Sequence, residues 1–297
     1  MNSHLYRVRE RFHPLNHLWG HRLSRRILRA IDIPVWAKLP GVDGKVRVRL
    51  VRHASAFLLP GGVEPGMAAL FCAIAKRIGI RSLWDVGANV GYYSWLTKSI
   101  APAAAVRMFE PEPDNIVLIH RTMRRMALSE MTLREVAVSD THAQQSFVRD
   151  EISGSTGGIQ QNGSTFSLRQ WGVAGKTVTV NTVSLDEERD RVGPVDLIKI
   201  DVEGHEEAVI RGGRGTIEHD QPIVIFECFH GGAEIIGFLS SLRYWVGDAE
   251  RMNDGMAAAS NFLALPERYR SRLEALKQSW AAEMERRPAR YHARIYR

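Results

Sequence analysis

The chain has 297 residues, 44% of them hydrophobic, and a formal net charge of +7. This size suits one enzyme-sized domain with extensions and a large buried core. Its two cysteines, Cys72 and Cys228, are too few for a disulfide framework and lack metal-ligand spacing. No apolar run approaches the roughly 20 residues of a membrane span, and the N-terminus has no signal-peptide core. We therefore expect a soluble, cytoplasmic protein.

The positive charge is concentrated at the two ends of the chain. Residues 1–29 hold seven arginines against one glutamate, and residues 266–297 hold nine Lys or Arg against four Glu. A nucleic-acid enzyme more often has its basic stripe beside the active site, so we expect no nucleic-acid partner. The basic ends suit contact with an anionic surface or a partner protein, or are solvated helices. The oligomeric state stays open.

Apolar periodicity divides the chain into three parts. Residues 15–31 place apolar side chains at three- and four-residue spacing, which predicts an amphipathic helix that docks on the body, on a second subunit or on a membrane interface. Residues 45–51 alternate between apolar and basic, which predicts a half-buried strand. We therefore expect a basic amphipathic extension over 1–44, the main domain over 45–266 and a basic helical tail over 267–297.

Strands and helices alternate through the main domain, which predicts an α/β fold with a doubly wound, mostly parallel sheet of seven strands, preceded by the N-terminal strand and helix. The tract 153–167 is rich in Ser, Thr, Gly and Gln, and it predicts a loop. Helices are expected at 67–78 and 92–100. Strands are expected at 81–86, 105–110, 131–138, 195–201 and 222–228, with an accessory strand at 176–183 and late strands at 240–246 and 261–265.

Residues 85–91, with the sequence D-V-G-A-N-V-G, join the first core strand to a helix. Glycines let the backbone approach a ligand closely, and the helix start presents free amide groups to it. The pattern G-x-N-x-G differs from the G-x-G-x-x-G of a dinucleotide site. It therefore favours S-adenosylmethionine over NAD, although a turn needed only for packing would look similar.

Acidic residues end four of the predicted parallel strands, at Asp85, Glu110, Asp201 with Glu203, and Glu227. Ligands bind beyond the carboxyl ends of such strands, so we expect these side chains around one pocket. Glu110 is positioned to accept hydrogen bonds from both ribose hydroxyls of a nucleoside.

Small and apolar residues end the third strand, where Val136 and Ala137 are expected to line an adenine slot. The run K-I-D-V-E-G-H-E over 199–206 then places carboxylates beside a lysine and a histidine. Buried carboxylates are costly unless they are paired or used. We expect a general base here, with Asp201 first, then Glu203, and His230 as a third candidate that could equally be solvated.

Five of these segments together resemble the FkbM-type S-adenosylmethionine-dependent methyltransferases. They are DVGANVGYY at 85–93, FEP at 109–111, AVSD at 137–140, TVSLD at 182–186 and KIDVEGHE at 199–206. The resemblance extends over residues 45–265. It implies a Rossmann-like class I methyltransferase fold, and O-methylation of a hydroxyl on a sugar, glycan, glycolipid or secondary metabolite.

The resemblance also implies where the cofactor S-adenosylmethionine binds. The turn would hold its methionine part and Glu110 its ribose. The complete set of expected cofactor-binding residues is Asp85, Gly87, Ala88, Asn89, Gly91, Tyr92, Glu110, Pro111, Val136 and Ala137. The methyl group would pass directly, in line, to the acceptor oxygen.

Competing interpretations stay open on the sequence. A magnesium-dependent O-methyltransferase would use Asp201, Glu203 and Glu227 as oxygen ligands, whereas the favoured mechanism needs no metal. A non-catalytic binding or scaffold protein could keep the cofactor fold. A nucleic-acid methyltransferase is disfavoured because the chain lacks the expected amino-methylation and cytosine motifs. An NAD oxidoreductase is disfavoured by Asn89.

Overall fold

The computed structural model describes residues 22–59, 62, 64–149, 157–159, 175–228, 232–255 and 259–287. Within these ranges no helix combines the length and the apolar content needed to cross a lipid bilayer. Three expectations fall wholly or mostly outside the described residues: the start of the N-terminal helix, the loop at 153–167 and the candidate base His230.

The N-terminal part consists of α1 (Arg22–Ile31), β1 (Pro34–Ala37), β2 (Val46–Arg49) and α2 (Ala54–Leu58). β1 and β2 pair antiparallel. Along β2 the valines are buried and the arginines partly exposed, which confirms the predicted half-buried strand. Leu50, which we expected on the apolar face, lies beyond the strand and is exposed, because the chain turns there.

The main sheet has seven strands with helices on both faces. Its elements are α3 (Pro65–Arg77), β3 (Ser82–Val86), α4 (Tyr92–Ile100), β4 (Ala105–Phe109), α5 (Pro113–Met126) and β5 (Met131–Arg134), followed after an insertion by α6 (Leu185–Val192), β10 (Leu197–Ile200), α7 (Glu206–Arg211), α8 (Arg214–Asp220), β11 (Ile223–Glu227), α9 (Gly232–Ser241), β12 (Trp245–Asp248) and β13 (Asn261–Leu265).

The strand order across this sheet is β12-β13-β11-β10-β3-β4-β5. The five strands from β11 to β5 are parallel, and β13 is antiparallel to both of its neighbours. Chain order reverses between β3 and β10, which makes their carboxyl ends the switch point where ligands bind in such sheets. This arrangement confirms the predicted mostly parallel, doubly wound α/β fold.

The prediction of one strand over 131–138 is wrong. Main-sheet pairing ends with β5, and β6 (Ala137–Val138) joins a second sheet with β7 (Gln144–Val148), β8 (Gly158–Ile159) and β9 (Thr177–Val183), in the order β6-β9-β7-β8. The Thr182 hydroxyl donates to the carbonyl oxygen of Thr141 and accepts from the amide of Ala143, which fastens this sheet. β8 lies within the tract 153–167, which was predicted to be a loop.

The predicted late strand over 240–246 is also wrong at its start. α9 continues to Ser241, and Arg243 then adopts a left-handed backbone with φ +64° before β12 begins. Leu239 is fully buried on the inner side of this helix. The apolar residues near 240 therefore follow the 3.6-residue period of a helix. A run this short does not distinguish the helical period from the two-residue period of a strand.

The C-terminal helix belongs to the packed body. A 3₁₀ helix at Glu267–Arg272 leads into α10 (Leu273–Glu285), which packs on α3. Leu273 and Leu276 join the main hydrophobic core. The Trp280 indole also donates to the carbonyl oxygen of Gly66 at 2.9 Å.

Candidate active site

The glycine-rich turn after β3 is clamped between the two neighbouring strands. The amides of Gly87 and Ala88 both donate to the carbonyl oxygen of Phe109 at 3.0 Å. Gly87 has φ +75°, and a Cβ atom there would lie 1.8 Å from the carbonyl oxygen of Asp201. Only glycine fits this approach, and the turn thereby links the ends of β4 and β10.

Two non-glycine residues that line the site have left-handed backbones. Asn89 has φ +56° and Glu203 has φ +55°. Such conformations are costly for residues with a Cβ and cluster at functional sites. Gly91, with φ +81°, starts α4, and a Cβ atom there would lie 2.7 Å from the Trp95 indole nitrogen.

Glu110 is buried and held by amide groups. It accepts from the backbone N–H of Asn89 at 2.6 Å, from the N–H of Glu112 at 2.9 Å and from the Asn115 side-chain amide at 3.4 Å. Burial raises the pKa of Glu110 to about 8, although these hydrogen bonds act in the opposite direction. The carboxyl group is therefore fixed in one orientation.

A pocket opens beside Glu110 and encloses about 730 Å³, including its mouth. The predicted residues that line it are Gly87, Asn89, Glu110, Pro111, Ala137, Asp201 and Glu203. One cavity thus brings together the end of β3, the end of β4, the start of the inserted sheet and the end of β10.

Asp85 lies outside the lining of this pocket. Its buried carboxylate accepts from the Ser94 hydroxyl at 2.7 Å and lies 4.0 Å from the ammonium of Lys199. Burial raises the pKa of Asp85, and the charge of Lys199 acts against this. The side chain therefore braces β3 against α4 and β10.

Lys199 connects Asp85 to the pocket. Its ammonium donates to the Asp201 carboxylate at 3.0 Å and lies 5.1 Å from the centroid of the Tyr93 ring. Burial alone would lower the pKa of Lys199, but the Asp201 and Asp85 carboxylates outweigh it and raise the pKa above its ordinary value. Lys199 is therefore a buried cation shared by two carboxylates.

Three carboxylates gather at the ends of β10 and β11. Oxygen atoms of Asp201, Glu203 and Glu227 all lie within 4.8 Å of one another. Carboxylate oxygens at such spacing can accept hydrogen bonds from hydroxyl groups or coordinate a hard divalent cation. The strand-end carboxylates thus lie at one edge of the sheet, as expected, but they do not all face the pocket.

Four other predicted cofactor residues lie outside the residues that line the pocket: Ala88, Gly91, Tyr92 and Val136. The Tyr92 hydroxyl donates to the carbonyl oxygen of Pro40 at 3.0 Å, on the α4 side of the sheet. Val136 packs against the core on the opposite face.

Sequence reasoning missed several residues that line the pocket, namely Arg52, Glu112, Asn115, Phe147, Ile159 and His205. Asn115 could have been found, because Pro113 at the first position of α5 predicts a helix start beside Glu110. Phe147 and Ile159 face each other across β7 and β8. No local signal marks them, since their place depends on long-range pairing.

His205 was noted only as part of its motif. Its ring nitrogen lies 2.9 Å from the Ser139 hydroxyl, and burial lowers its pKa. This contact joins the loop after β10 to the end of β6. The histidine therefore fixes one wall of the pocket.

Comparison with known proteins gives a family match over residues 85–246, to the methyltransferase FkbM domain. The 2-O-methyltransferase NoeI of Sinorhizobium fredii is 31% identical over 141 residues, which are 45% of this chain and 57% of that protein. The hexuronic acid methyltransferase AglP of Haloferax volcanii is 28% identical over 145 residues, 48% of this chain and 54% of that protein. The chain thus spans little more than half the length of either relative.

Among solved structures, an FkbM methyltransferase from Methylobacillus flagellatus aligns with a TM-score of 0.43 and 16% identity, covering 65% of this chain and 47% of that one. A likeness at this level adds nothing to the assignment. The family match spans more than half of the chain and includes both the glycine-rich turn and the carboxylate-bearing strand ends. The chain therefore belongs to the methyltransferase FkbM domain family.

Proposed function

We propose that this protein is an S-adenosylmethionine-dependent methyltransferase that O-methylates a hydroxyl of a sugar or glycan. The observation that carries the proposal is Glu110, a buried carboxyl group fixed by amides on the wall of a pocket that Asp201 and Glu203 also line. Family membership supports the methyl transfer. The names of the two relatives, a 2-O-methyltransferase and a hexuronic acid methyltransferase, support a sugar acceptor.

The residues of the pocket fit the cofactor. Glu110 offers carboxylate oxygens to the ribose hydroxyls, and the turn around Gly87 and Asn89 offers a wall without bulky side chains. Ala137, with Phe147 and Ile159 of the inserted sheet, provides apolar surface for an adenine ring.

The protein mainly has to position the acceptor and accept its proton. S-adenosylmethionine supplies a methyl carbon that its sulfonium makes electrophilic. We propose that Asp201 or Glu203 hydrogen-bonds the acceptor hydroxyl and takes its proton. Lys199 donates to the Asp201 carboxylate at 3.0 Å and so holds it at the wall of the pocket. His230 stays a third candidate. We place this reaction in the cytoplasm and expect no nucleic-acid substrate.

The test uses the full chain, S-adenosylmethionine with a labelled methyl group, and fractionated neutral sugars, uronic acids and glycans. We expect label in a sugar fraction. Glu110→Ala should weaken cofactor binding at least tenfold in calorimetry, because ribose contacts and a fixed wall are lost. Glu203→Gln should slow transfer and leave cofactor binding unchanged.

Glu207→Gln is the matched control, since Glu207 lies in the same segment but outside the pocket lining. Its transfer rate should equal that of the wild type. Absence of any heat on titration with S-adenosylmethionine would refute the proposal. Cofactor binding without label in any fraction would favour a non-catalytic binding protein instead.

A metal-dependent O-methyltransferase is the second candidate, because the oxygens of Asp201, Glu203 and Glu227 lie within 4.8 Å of one another. In that mechanism Mg²⁺ would bind the acceptor oxygen. Loss of transfer in EDTA, with recovery on adding Mg²⁺, would establish it. Unchanged transfer in EDTA would eliminate it.

A further inference from the structure

Exposed apolar side chains are concentrated in the N-terminal part of the molecule. Among the described residues, six of the eight large apolar side chains that are exposed lie between residues 23 and 58: Leu23, Ile27, Ile31, Ile33, Leu50 and Leu58. The other two, Val117 and Val192, lie singly on α5 and α6. Single exposed apolar residues are ordinary, whereas a concentration of them indicates an interaction surface.

Helix α1 exposes an apolar stripe. Leu23, Ile27 and Ile31 follow one another at four-residue spacing and are 71%, 54% and 47% exposed. They therefore share one face of the helix. Leu28 lies on another face of the helix and is buried. The stripe is therefore available to contact another molecule.

The stripe continues beyond the end of α1. Ile33 is 55% exposed and its carbonyl oxygen accepts from the amide of Leu50 at 2.9 Å, which places Leu50 beside the helix end. Asp32 fastens this corner, since its carboxylate accepts from the amides of Val51 and Arg52. We call Leu23, Ile27, Ile31, Ile33 and Leu50 the apolar surface.

The same part of the chain is strongly basic. Residues 22–58 contain nine Lys or Arg against two Asp, a net charge of +7. One of these two acids, Asp32, is already paired with Arg49 and Arg52. Helix α1 has four arginines and no acidic residue. The local charge therefore favours an anionic partner.

An aromatic side chain adds to this pattern. The Trp36 ring has the guanidinium groups of Arg47 and Arg125 at 5.2 and 4.7 Å from its centroid. An exposed apolar stripe flanked by arginines, with a tryptophan nearby, matches the composition of helices that lie in the interface of anionic membranes. A second copy of the chain would bring two segments of charge +7 together, and their repulsion opposes such pairing.

We propose that the apolar surface docks on an anionic phospholipid bilayer, with α1 lying in the headgroup region. The Arg52 guanidinium donates to the Asp32 carboxylate beside this surface, and Arg52 also lines the pocket. Docking therefore brings the rim of the pocket close to the membrane surface. The inference does not depend on the reaction proposed above.

The test is flotation of the full chain with vesicles of phosphatidylcholine containing phosphatidylglycerol, compared with pure phosphatidylcholine. We expect binding to the anionic vesicles only, weakened by added salt. Ile27→Asp should reduce the apparent affinity about tenfold, because an apolar side chain loses its burial and a negative charge is added. Arg26→Glu should reduce it by a similar factor.

Val192→Asp is the matched control, because Val192 is also an exposed apolar residue on a helix, 43% exposed, far from the apolar surface in sequence. It should float like the wild type. Each variant is checked by its circular dichroism spectrum and thermal unfolding. Failure of the wild type to float with anionic vesicles would overturn the proposal. Equal loss in Val192→Asp and Ile27→Asp, or a dimer in light scattering that Ile27→Asp dissociates, would also overturn it.

Discussion

Asp85 and Glu110 occupy similar places in the sequence and different surroundings in the structure. Each is a buried acid at the carboxyl end of a central parallel strand, β3 or β4. The sequence predicts a cofactor role for both. In the structure Glu110 lines the pocket and accepts from amides, whereas Asp85 contacts Ser94 and the ammonium of Lys199 behind the turn.

The difference arises because Asp85 lies within its strand, whereas Glu110 lies just beyond the end of its strand. Asp85 is still inside β3, and its side chain points to the α4 face, while its neighbours Trp84 and Val86 pack on the other face. Glu110 follows the last residue of β4, where the chain has left the sheet and can turn into the cavity. Burial raises the pKa of both acids, but a cation neutralises one and amides orient the other. Asp85 therefore serves the scaffold, whereas Glu110 lines the pocket in which we propose that the cofactor binds.

The largest effect is expected at Gly87, which follows the strand that carries Asp85 and lines the pocket beside Glu110. Gly87→Ala places a methyl carbon 1.8 Å from the carbonyl oxygen of Asp201 and keeps a strained φ of +75°. We expect a loss of about 4 kcal/mol in the free energy of unfolding. Urea denaturation measures it.

The control for this variant is Gly79→Ala. Gly79 has φ +94°, but a Cβ atom added there would meet no heavy atom within 4 Å, so this variant reports strain without the clash. It should cost about 1 kcal/mol. Equal losses at Gly87 and Gly79 would show that the close approach to Asp201 contributes nothing.

A smaller effect is expected at Lys199, on the scaffold side of the comparison. Lys199→Met leaves Asp85 and Asp201 without their shared cation, which should cost about 3 kcal/mol of stability. Lys98→Met is the matched control, since Lys98 is also buried but its hydrogen bonds to described residues go to the carbonyl oxygens of Pro102 and Ala104. That change should cost about 1 kcal/mol.

Adding Asp85→Asn to Lys199→Met should recover part of the loss, because the uncompensated buried charge is removed. Thermal unfolding of the single and double variants measures the coupling. Additive losses would contradict the pairing of Asp85 with Lys199.

The smallest effect concerns pH and tests the ligand side. Burial raises the pKa of Glu110 to about 8, so its carboxyl is mostly protonated at neutral pH before a ligand binds. Ribose hydroxyls donate to the ionised form, so affinity should rise about tenfold from about pH 7 to about pH 9. Adenosine is the probe, because it has no group that ionises in this range, and calorimetry measures its affinity.

Glu110→Gln should abolish this pH dependence. Glu135→Gln is the control, since Glu135 follows the next strand but is exposed and contacts only His120 among its described side-chain partners. It should keep the wild-type profile. An unchanged profile in Glu110→Gln would show that another group controls binding.

Much of the fold follows from local sequence. The strands β10 and β11 are mostly apolar on both faces, as expected for strands of a sheet that helices cover on both sides. The glycine-rich turn was equally predictable. Glycines at 87 and 91 permit the positive φ values, +75° and +81°, that the turn adopts there. The inserted sheet was not, since β6 pairs with β9, more than forty residues away in the sequence.

The sequence by itself determined the doubly wound sheet, the turn at its switch point and the acidic residues that follow its strands, because these features depend on side-chain period and backbone freedom over a few residues. Only the tertiary structure decided which acid faces the pocket, which shares Lys199, and that Phe147 and Ile159 complete the wall. Those outcomes depend on the pleat at each strand end and on pairing between distant segments. The tertiary structure also decided that the apolar stripe of α1 is exposed. Amphipathicity gives a helix two faces, and packing selects which of them is buried.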